Sequence, residues 1–449
     1  MVSLQPCRAG ASFPQGRAGV TPRGPRAPSG SHGITKVKTY SPPPDKSITI
    51  RALLLSAIAA GSARVENPLA CEDTEAAVRC LKALGVRLCR DGNAFIVEGR
   101  GLKGLRKPAG PLDAGESGAL ARMLAGILAG QDFPSAITGR GSLLKRPMGP
   151  LERALKKIGA KVKTDKGRLP LSIRPAEPKG GKVSGVESAQ VKSALLLAGL
   201  YARGPLQVTE RLATRDHTER ILALMGARLV SKGRRLNLEP GPLTAMPLTV
   251  PGDISSAAPF IAAALLSGEK LKINSCGLNP ARLGFITALR KMGAVINTKT
   301  SVIFPEPCGE IEVTPSRLKA ARFGALEIPS MIDEVPLLAV IAARARGTTV
   351  IRGINSLRAK ESDRIESTLA LLAALGAKAA YGSGTLSITG PGAFKPLRPV
   401  QTFGDHRIAM AASAAAAVCP GLEIQNPGCV DKSYPGFWKD FKKIFSFSF

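Results

Sequence analysis

Leu81–Val86 reads LKALGV, and the phrase L-x-x-(L/I/M)-G-(A/V) returns at Leu155–Ala160 (LKKIGA), Leu222–Ala227 (LALMGA), Leu289–Ala294 (LRKMGA) and Leu372–Ala377 (LAALGA). A Leu followed three residues on by Leu, Ile or Met is one apolar stripe of a helix. A Gly next to it takes the left-handed conformation that ends a helix. Strand-like segments follow, such as Val86–Leu88, Lys161–Lys163 and Ala294–Ile296. Turn pairs then divide two strands. Asp91-Gly92 separates Val86–Cys89 from Ala94–Glu98, and Lys166-Gly167, Lys232-Gly233 and Gly382–Gly384 play the same part. The repeat glycines lie 74, 67, 67 and 83 residues apart. That period is too long for a solenoid and suits a small subdomain. Units of helix, strand, hairpin and strand predict an α/β protein, or α+β if the sheets are mixed. The C-terminal segment has room for a sixth, divergent copy. The Pro- and Gly-rich stretch Pro247–Gly252 precedes a fresh apolar helix over Ser255–Leu266, so a boundary is expected there, with about three units on each side.

Composition narrows the function. At 449 residues the chain is long enough for two or three domains. Its 44% hydrophobic and 21% charged residues are ordinary for a globular protein. The net charge of +30 invites anionic partners. Residues 1–44 hold six basic side chains and no acid, yet the rest still carries 57 basic against 33 acidic ones. The body itself is therefore basic. Aromatics are only 4%, which leaves few stacking surfaces for nucleic acid. Eight cysteines without a C-x-x-C pair and three histidines argue against zinc and for free thiols in a reducing compartment. No apolar stretch is long enough to span a membrane. Residues 1–33 are rich in Arg, Pro, Gly and Ser, and read as a disordered extension rather than a transit peptide.

Several helix starts carry chemistry. Asp45 caps a helix expected over Lys46–Ala60, with Ser47 and Arg51 on one face. Lys46 in its first turn opposes the helix dipole, a cost that a bound anion would offset. Arg407 also stands in the first turn of the helix opened by Gly404-Asp405-His406-Arg407, so one anionic ligand would explain both. Gly115 and Gly118 open another helix where a ligand can approach the backbone closely. Lys145-Arg146-Pro147 places two cations on a rigid turn, and Ser188-Ala189-Gln190 opens an apolar helix. Arg215-Asp216-His217-Thr218-Glu219 precedes another helix, with Asp216 or Thr218 as its cap. Asp333-Glu334 and Lys360-Glu361-Ser362-Asp363-Arg364 set carboxylates beside cations, as proton transfer near a bound anion requires. Glu361 and Arg364, three apart, are expected on one helix face.

In order, D-K-S-x-x-x-R (45–51), D-A-G-E-S-G (113–118), K-R-P-M-G (145–149), S-A-Q-x-K-S (188–193), R-D-H-T-E (215–219), P-G-D-x-S-S-A (251–257), L-R-x-K-E-S-D-R (357–364) and D-H-R-I-A-M (405–410) make the chain resemble the enolpyruvyl transferases, in the branch that acts on shikimate 3-phosphate. The likeness runs from about Lys36 to Gly436. It implies a two-domain inside-out α/β barrel, each domain built from three βαβαββ units. Residues 34–44 and 255–449 would form one domain, with 45–254 inserted as the second. The implied reaction joins phosphoenolpyruvate to the 5-hydroxyl of shikimate 3-phosphate through a tetrahedral adduct and releases phosphate. No metal or organic cofactor is implied.

By the same resemblance, Lys46, Ser47, Arg51, Ser188, Ala189, Arg215, Asp333 and Lys360 hold shikimate 3-phosphate. Lys46, Gly118, Arg146, Gln190, Arg364, Arg407 and Lys432 hold phosphoenolpyruvate. Asp333 is the implied base, with Glu361 and Lys46 handling protons at the methylene. Glyphosate enters as an inhibitor to test, since Gly118 leaves room beside phosphoenolpyruvate. A cytoplasmic monomer is expected, with a plastid location as the alternative if residues 1–33 are a transit peptide. Glu116 and Ala119 depart from the Asn and Thr common in the family. A carboxylate at Glu116 would repel phosphoenolpyruvate unless paired or turned away. Two other readings stay open: the sister branch using UDP-N-acetylglucosamine, whose loop cysteine motif is missing, and a basic nucleic-acid-binding protein.

Overall fold

In the computed structural model of the chain, residues 37–445 are described; the extension expected over 1–33 lies outside them. All five copies of the repeat phrase end a helix in the same way. Their glycines have φ between 68° and 95°. In each copy the amide of the last residue donates to the carbonyl of the first, as in Val86 N to Leu81 O at 3.0 Å and Ala377 N to Leu372 O at 2.9 Å. This is a Schellman closure. The leading Leu and the apolar residue three on are buried in every copy, which ties each stop to the core.

The helices are α1 (Lys46–Ala57), α2 (Glu72–Ala83), α3 (Gly118–Leu128), α4 (Gly149–Lys157), α5 (Ala189–Gly199), α6 (His217–Leu224), α7 (Ile254–Ser267), α8 (Gly284–Lys291), α9 (Val335–Ala342), α10 (Arg364–Ala374), α11 (His406–Ala416) and α12 (Phe437–Phe445). The repeat phrase ends α2, α4, α6, α8 and α10. These helices present one apolar stripe inward. Helices α1, α3, α5, α7, α9 and α11 are buried on almost every side, as helices apolar all round must be.

Among the described residues there are five four-stranded sheets and one two-stranded sheet. One unit shows the plan. Strand Gly181–Val186 leads into α5, strand Leu206–Glu210 pairs parallel to it, α6 follows, and the hairpin Leu229–Lys232/Arg235–Leu238 completes the sheet. This is a βαβαββ unit. The hairpins fall where expected, although the Lys232-Gly233 turn is in fact Gly233-Arg234 and the Asp91-Gly92 turn is Gly92-Asn93. The sixth unit is cut short. Val400–Gln401 and Ile424–Gln425 pair around α11, and α12 stands in place of a hairpin. Phe437, Phe441 and Phe445 of α12 are buried and pack edge-on or tilted around Phe260 of α7.

Two units exchange their edge strands. Lys38–Tyr40 pairs with Leu271–Ile273, and Leu248–Thr249 pairs with Val65–Glu66. The chain thereby passes twice between two hydrophobic cores, one of residues 48–250 and one of Tyr40 with 254–445. The two passages are joined by Asp45 N to Pro251 O and Asp253 N to Pro43 O, both 2.8 Å. Helix α1 is shorter than expected. It stops at Ala57, because Ala60–Glu66 is taken up as a strand against Ala94–Arg100.

Candidate active site

The buried helices start at the motifs. Side chains of Asp45, Ser117, Ser188, Asp253 and Asp405 accept from the first-turn amides of α1, α3, α5, α7 and α11. Asp216, expected to cap α6, makes no cap bond and instead binds Arg220 and Asn279.

The site is closed by ion pairs between the two cores. Arg215 Nη2 lies 2.6 Å from Asp333 Oδ2, Arg146 Nη1 lies 3.3 Å from Glu361 Oε1, and Lys432 Nζ lies 2.8 Å from Glu116 Oε2. Asp333 also meets Lys360 Nζ at 3.3 Å and Arg364 Nη1 at 3.0 Å. Arg364 is the centre of this network. It is 1% exposed, reaches Glu361 at 2.6 Å, and grips both oxygens of Asp405 at 2.8 and 3.2 Å. Glu361 precedes α10 and reaches Arg364 from the loop, not along a helix face as expected.

Burial would raise the carboxyl pKa of Asp333, but Lys360, Arg215 and Arg364 hold it well below the usual range. Glu361 is held low against burial by Arg364 and Arg146. Both are therefore ionised in the folded state. Their contribution to stability is fully present above the ordinary carboxylate pKa of ~4 and is lost as pH falls towards the folded values. Thermal melts from pH 7 to pH 3 should show a steep fall below about pH 4 that is shallower in E361Q. Parallel curves for the two proteins would remove Glu361 from that dependence.

Arg51 is set by a second group. Its Nε donates to Thr218 Oγ1 at 2.8 Å, its Nη2 to Ser193 Oγ at 3.3 Å, and the two hydroxyls are 2.7 Å apart. Its Nη1 also bonds the Ser47 hydroxyl. Burial lowers its pKa to about 10, still well above neutral. Lys46 Nζ sits 2.8 Å from Asp73; burial presses its pKa down, but Asp73 leaves it raised, so the ammonium keeps its proton.

The structure thus gathers Arg146, Arg215, Asp333, Lys360, Glu361 and Arg364 through linked contacts, while Arg51 with Ser47 forms a separate group and Lys46 pairs with Asp73. Ser188 serves as the α5 cap, and Ala189 offers its carbonyl to Ser193. Arg407 Nη1 donates to Ser255 O at 3.1 Å. The Nε atoms of Arg146 and Arg407 are buried with no hydrogen-bond partner among the described residues. A Cβ on Gly118 would meet guanidinium nitrogens of Arg122 and Arg146 at 2.6 and 2.7 Å. Sequence reading missed Arg122, which binds Gln190 Oε1 at 2.6 Å and the carbonyls of Gly118 and Pro147 at 3.1 Å. Burial and Arg146 lower its pKa to about 9. Its signal was available: one arginine inside an otherwise apolar helix, four residues after Gly118. Glu116, whose carboxylate would repel phosphoenolpyruvate unless paired or turned away, is paired with Lys432. No group of His, Cys, Asp and Glu able to hold a metal occurs among the described residues.

The family model for EPSP synthase (3-phosphoshikimate 1-carboxyvinyltransferase) matches residues 35–441. The chain is 43% identical over 406 residues to the 3-phosphoshikimate 1-carboxyvinyltransferase of Desulforudis audaxviator, covering 88% of this chain and 94% of that one. It is 39% identical over 409 residues to that of Bacillus subtilis, covering 90% and 96%. A solved EPSP synthase structure from Acinetobacter baumannii superposes with a TM-score of 0.80 at 35% identity, covering 92% of this chain and 96% of that one. Matched along almost its whole described length, the chain belongs to the EPSP synthase (3-phosphoshikimate 1-carboxyvinyltransferase) family.

Proposed function

We propose that this chain transfers the enolpyruvyl group of phosphoenolpyruvate to the 5-hydroxyl of shikimate 3-phosphate, giving 5-enolpyruvylshikimate 3-phosphate and phosphate. The observation that carries this reading is the single cluster of Arg and Lys interleaved with ionised carboxylates, built from both cores at the family motifs. Both substrates are anions, and such cations serve binding and developing charge alike.

In this reading Ser47, Arg51, Ser188, Ala189, Arg215, Asp333 and Lys360 hold shikimate 3-phosphate, with Lys46 beside them. Gly118, Arg146, Gln190, Arg364, Arg407 and Lys432 hold phosphoenolpyruvate, and the unpartnered Nε groups of Arg146 and Arg407 are donors for it. Asp333 takes the proton of the 5-hydroxyl as its oxygen bonds to C2 of phosphoenolpyruvate. The methylene gains a proton and becomes a methyl. In the tetrahedral adduct that methyl then loses a proton while the C–O bond to phosphate breaks. Lys46, which keeps its proton, suits the donor role, and the ionised Glu361 suits removal of the methyl proton.

We read the two cores as two domains, 37–44 with 254–445 and 45–253 among the described residues. The enzyme is taken to be a cytoplasmic monomer; no helix among the described residues is long and apolar enough to cross a membrane. Glyphosate, carrying a phosphonate and a carboxylate, is proposed to inhibit at the same anion site.

The test is phosphate release from phosphoenolpyruvate by purified protein with shikimate 3-phosphate or, separately, UDP-N-acetylglucosamine. Release only with the former is expected; release only with the latter would move the chain to the sister branch. The Arg51 platform gives a finer check. Thr218→Val should raise KM for shikimate 3-phosphate about tenfold with kcat changed far less, because it unseats a charge-assisted bond, and Thr218→Ser should restore it. An unchanged KM would exclude Thr218 from orienting Arg51.

A further inference from the structure

Glu116 brings a carboxylate against Lys432, one of the cations assigned above to phosphoenolpyruvate. Its Oε2 accepts from Ser142 N at 3.0 Å, Ser142 Oγ at 2.6 Å and Lys432 Nζ at 2.8 Å. Lys432 also donates to Ser142 Oγ at 3.3 Å, which closes a triangle. Ser142 adjoins Leu143 of the first core and Lys432 follows Val430 of the second, so the triangle ties the two cores together. The backbone is shaped to receive this carboxylate. Gly141 has φ +55°, and a Cβ there would meet Glu116 Cδ at 2.6 Å. The carboxylate is ionised: burial would raise its pKa, but Lys432 and Ser142 leave it lowered.

We propose that Glu116 is a built-in competing anion that neutralises Lys432 from the other core and thereby sets the affinity for the phosphate-bearing substrate. An arriving phosphate must draw Lys432 away from a carboxylate already held by it, or bind beside that carboxylate. Each route costs part of the attraction that a free ammonium would supply. The identity of the substrate as phosphoenolpyruvate rests on the proposed function; the competition itself rests only on the geometry.

The test uses the full-length chain and two readouts. Inorganic phosphate, titrated calorimetrically into the wild type, E116Q and S142A, reads the anion site without turnover. E116Q should bind phosphate about fivefold more tightly, the scale of one half-buried ion pair. S142A, which keeps every charge but loosens Glu116, should shift the same way by less. The gain should vanish in E116Q/K432M. KM for phosphoenolpyruvate should fall in step in E116Q and rise more steeply with salt than in the wild type. Equal or weaker phosphate binding in both E116Q and S142A would overturn the proposal and leave Glu116 as a brace for the closed cleft. If the wild type released no phosphate from phosphoenolpyruvate and shikimate 3-phosphate, the functional reading would fail while the phosphate titrations still decided the competition.

Discussion

Asp333→Asn is expected to cut turnover by about 10²–10⁴-fold, the usual worth of a positioned general base, in a protein that still folds. The side chain sits among Arg215, Lys360 and Arg364 at 2.6 to 3.3 Å. Asn keeps the size and one acceptor oxygen but turns an amide donor towards cations, so KM for shikimate 3-phosphate should rise as well. A carboxylate held well below its usual pKa is a weak base in the free enzyme. Binding two anionic substrates changes that. On the proposed assignment, their phosphates and carboxylates engage the same Arg and Lys side chains, so the pull on Asp333 is expected to slacken. The acid limb of the pH profile should therefore lie higher for kcat than for kcat/KM. Activity of D333N within tenfold of wild type would remove Asp333 as the base, and identical acid limbs would remove the substrate-induced shift.

Arg282→Met is expected to cost about 3–5 kcal/mol of stability, as removal of one partner from a buried ionic group does. Arg282 is 4% exposed and bonds Asp45 and Asp253 at 3.0 Å each and Ser255 Oγ at 2.6 Å. Those two carboxylates cap α1 and α7, the first helices after each passage of the chain between the cores. The pair is unequal. Burial and the neighbouring Asp45 raise the pKa of Asp253, whereas Arg282 and His217 hold Asp45 low despite burial. Asp45→Asn should consequently destabilise more than Asp253→Asn, because it discards the better-matched partner. Urea unfolding of the three variants checks this; equal losses for D45N and D253N would show that Arg282 does not discriminate between them.

Much of the fold was legible because its signals are short-range. Each repeat phrase closes a hydrogen bond between residues five apart, so the pattern is written in six consecutive letters. The hairpins of the repeat are equally local. The end of α1 was misjudged because nothing near Ala57 stops a helix; a strand partner some 40 residues on does. The sixth unit was also only partly visible, since α12 fills its place with phenylalanines that pack on α7 rather than with a hairpin.

The site divides in the same way. Sequence alone singled out the capped helix starts, the cations in their first turns and the ordered family motifs, because capping and dipole arguments need only neighbouring residues. Tertiary structure decided who pairs with whom. Glu116 is neutralised by a lysine 316 positions away, Arg146 meets a carboxylate 215 positions away, and Arg51 is seated by Thr218 at a distance of 167. The exchange of edge strands between the two cores belongs to the same class. Local letters specify conformations through short hydrogen bonds, while a charge finds its partner only after two cores have folded and closed, and no spacing along the chain encodes that meeting.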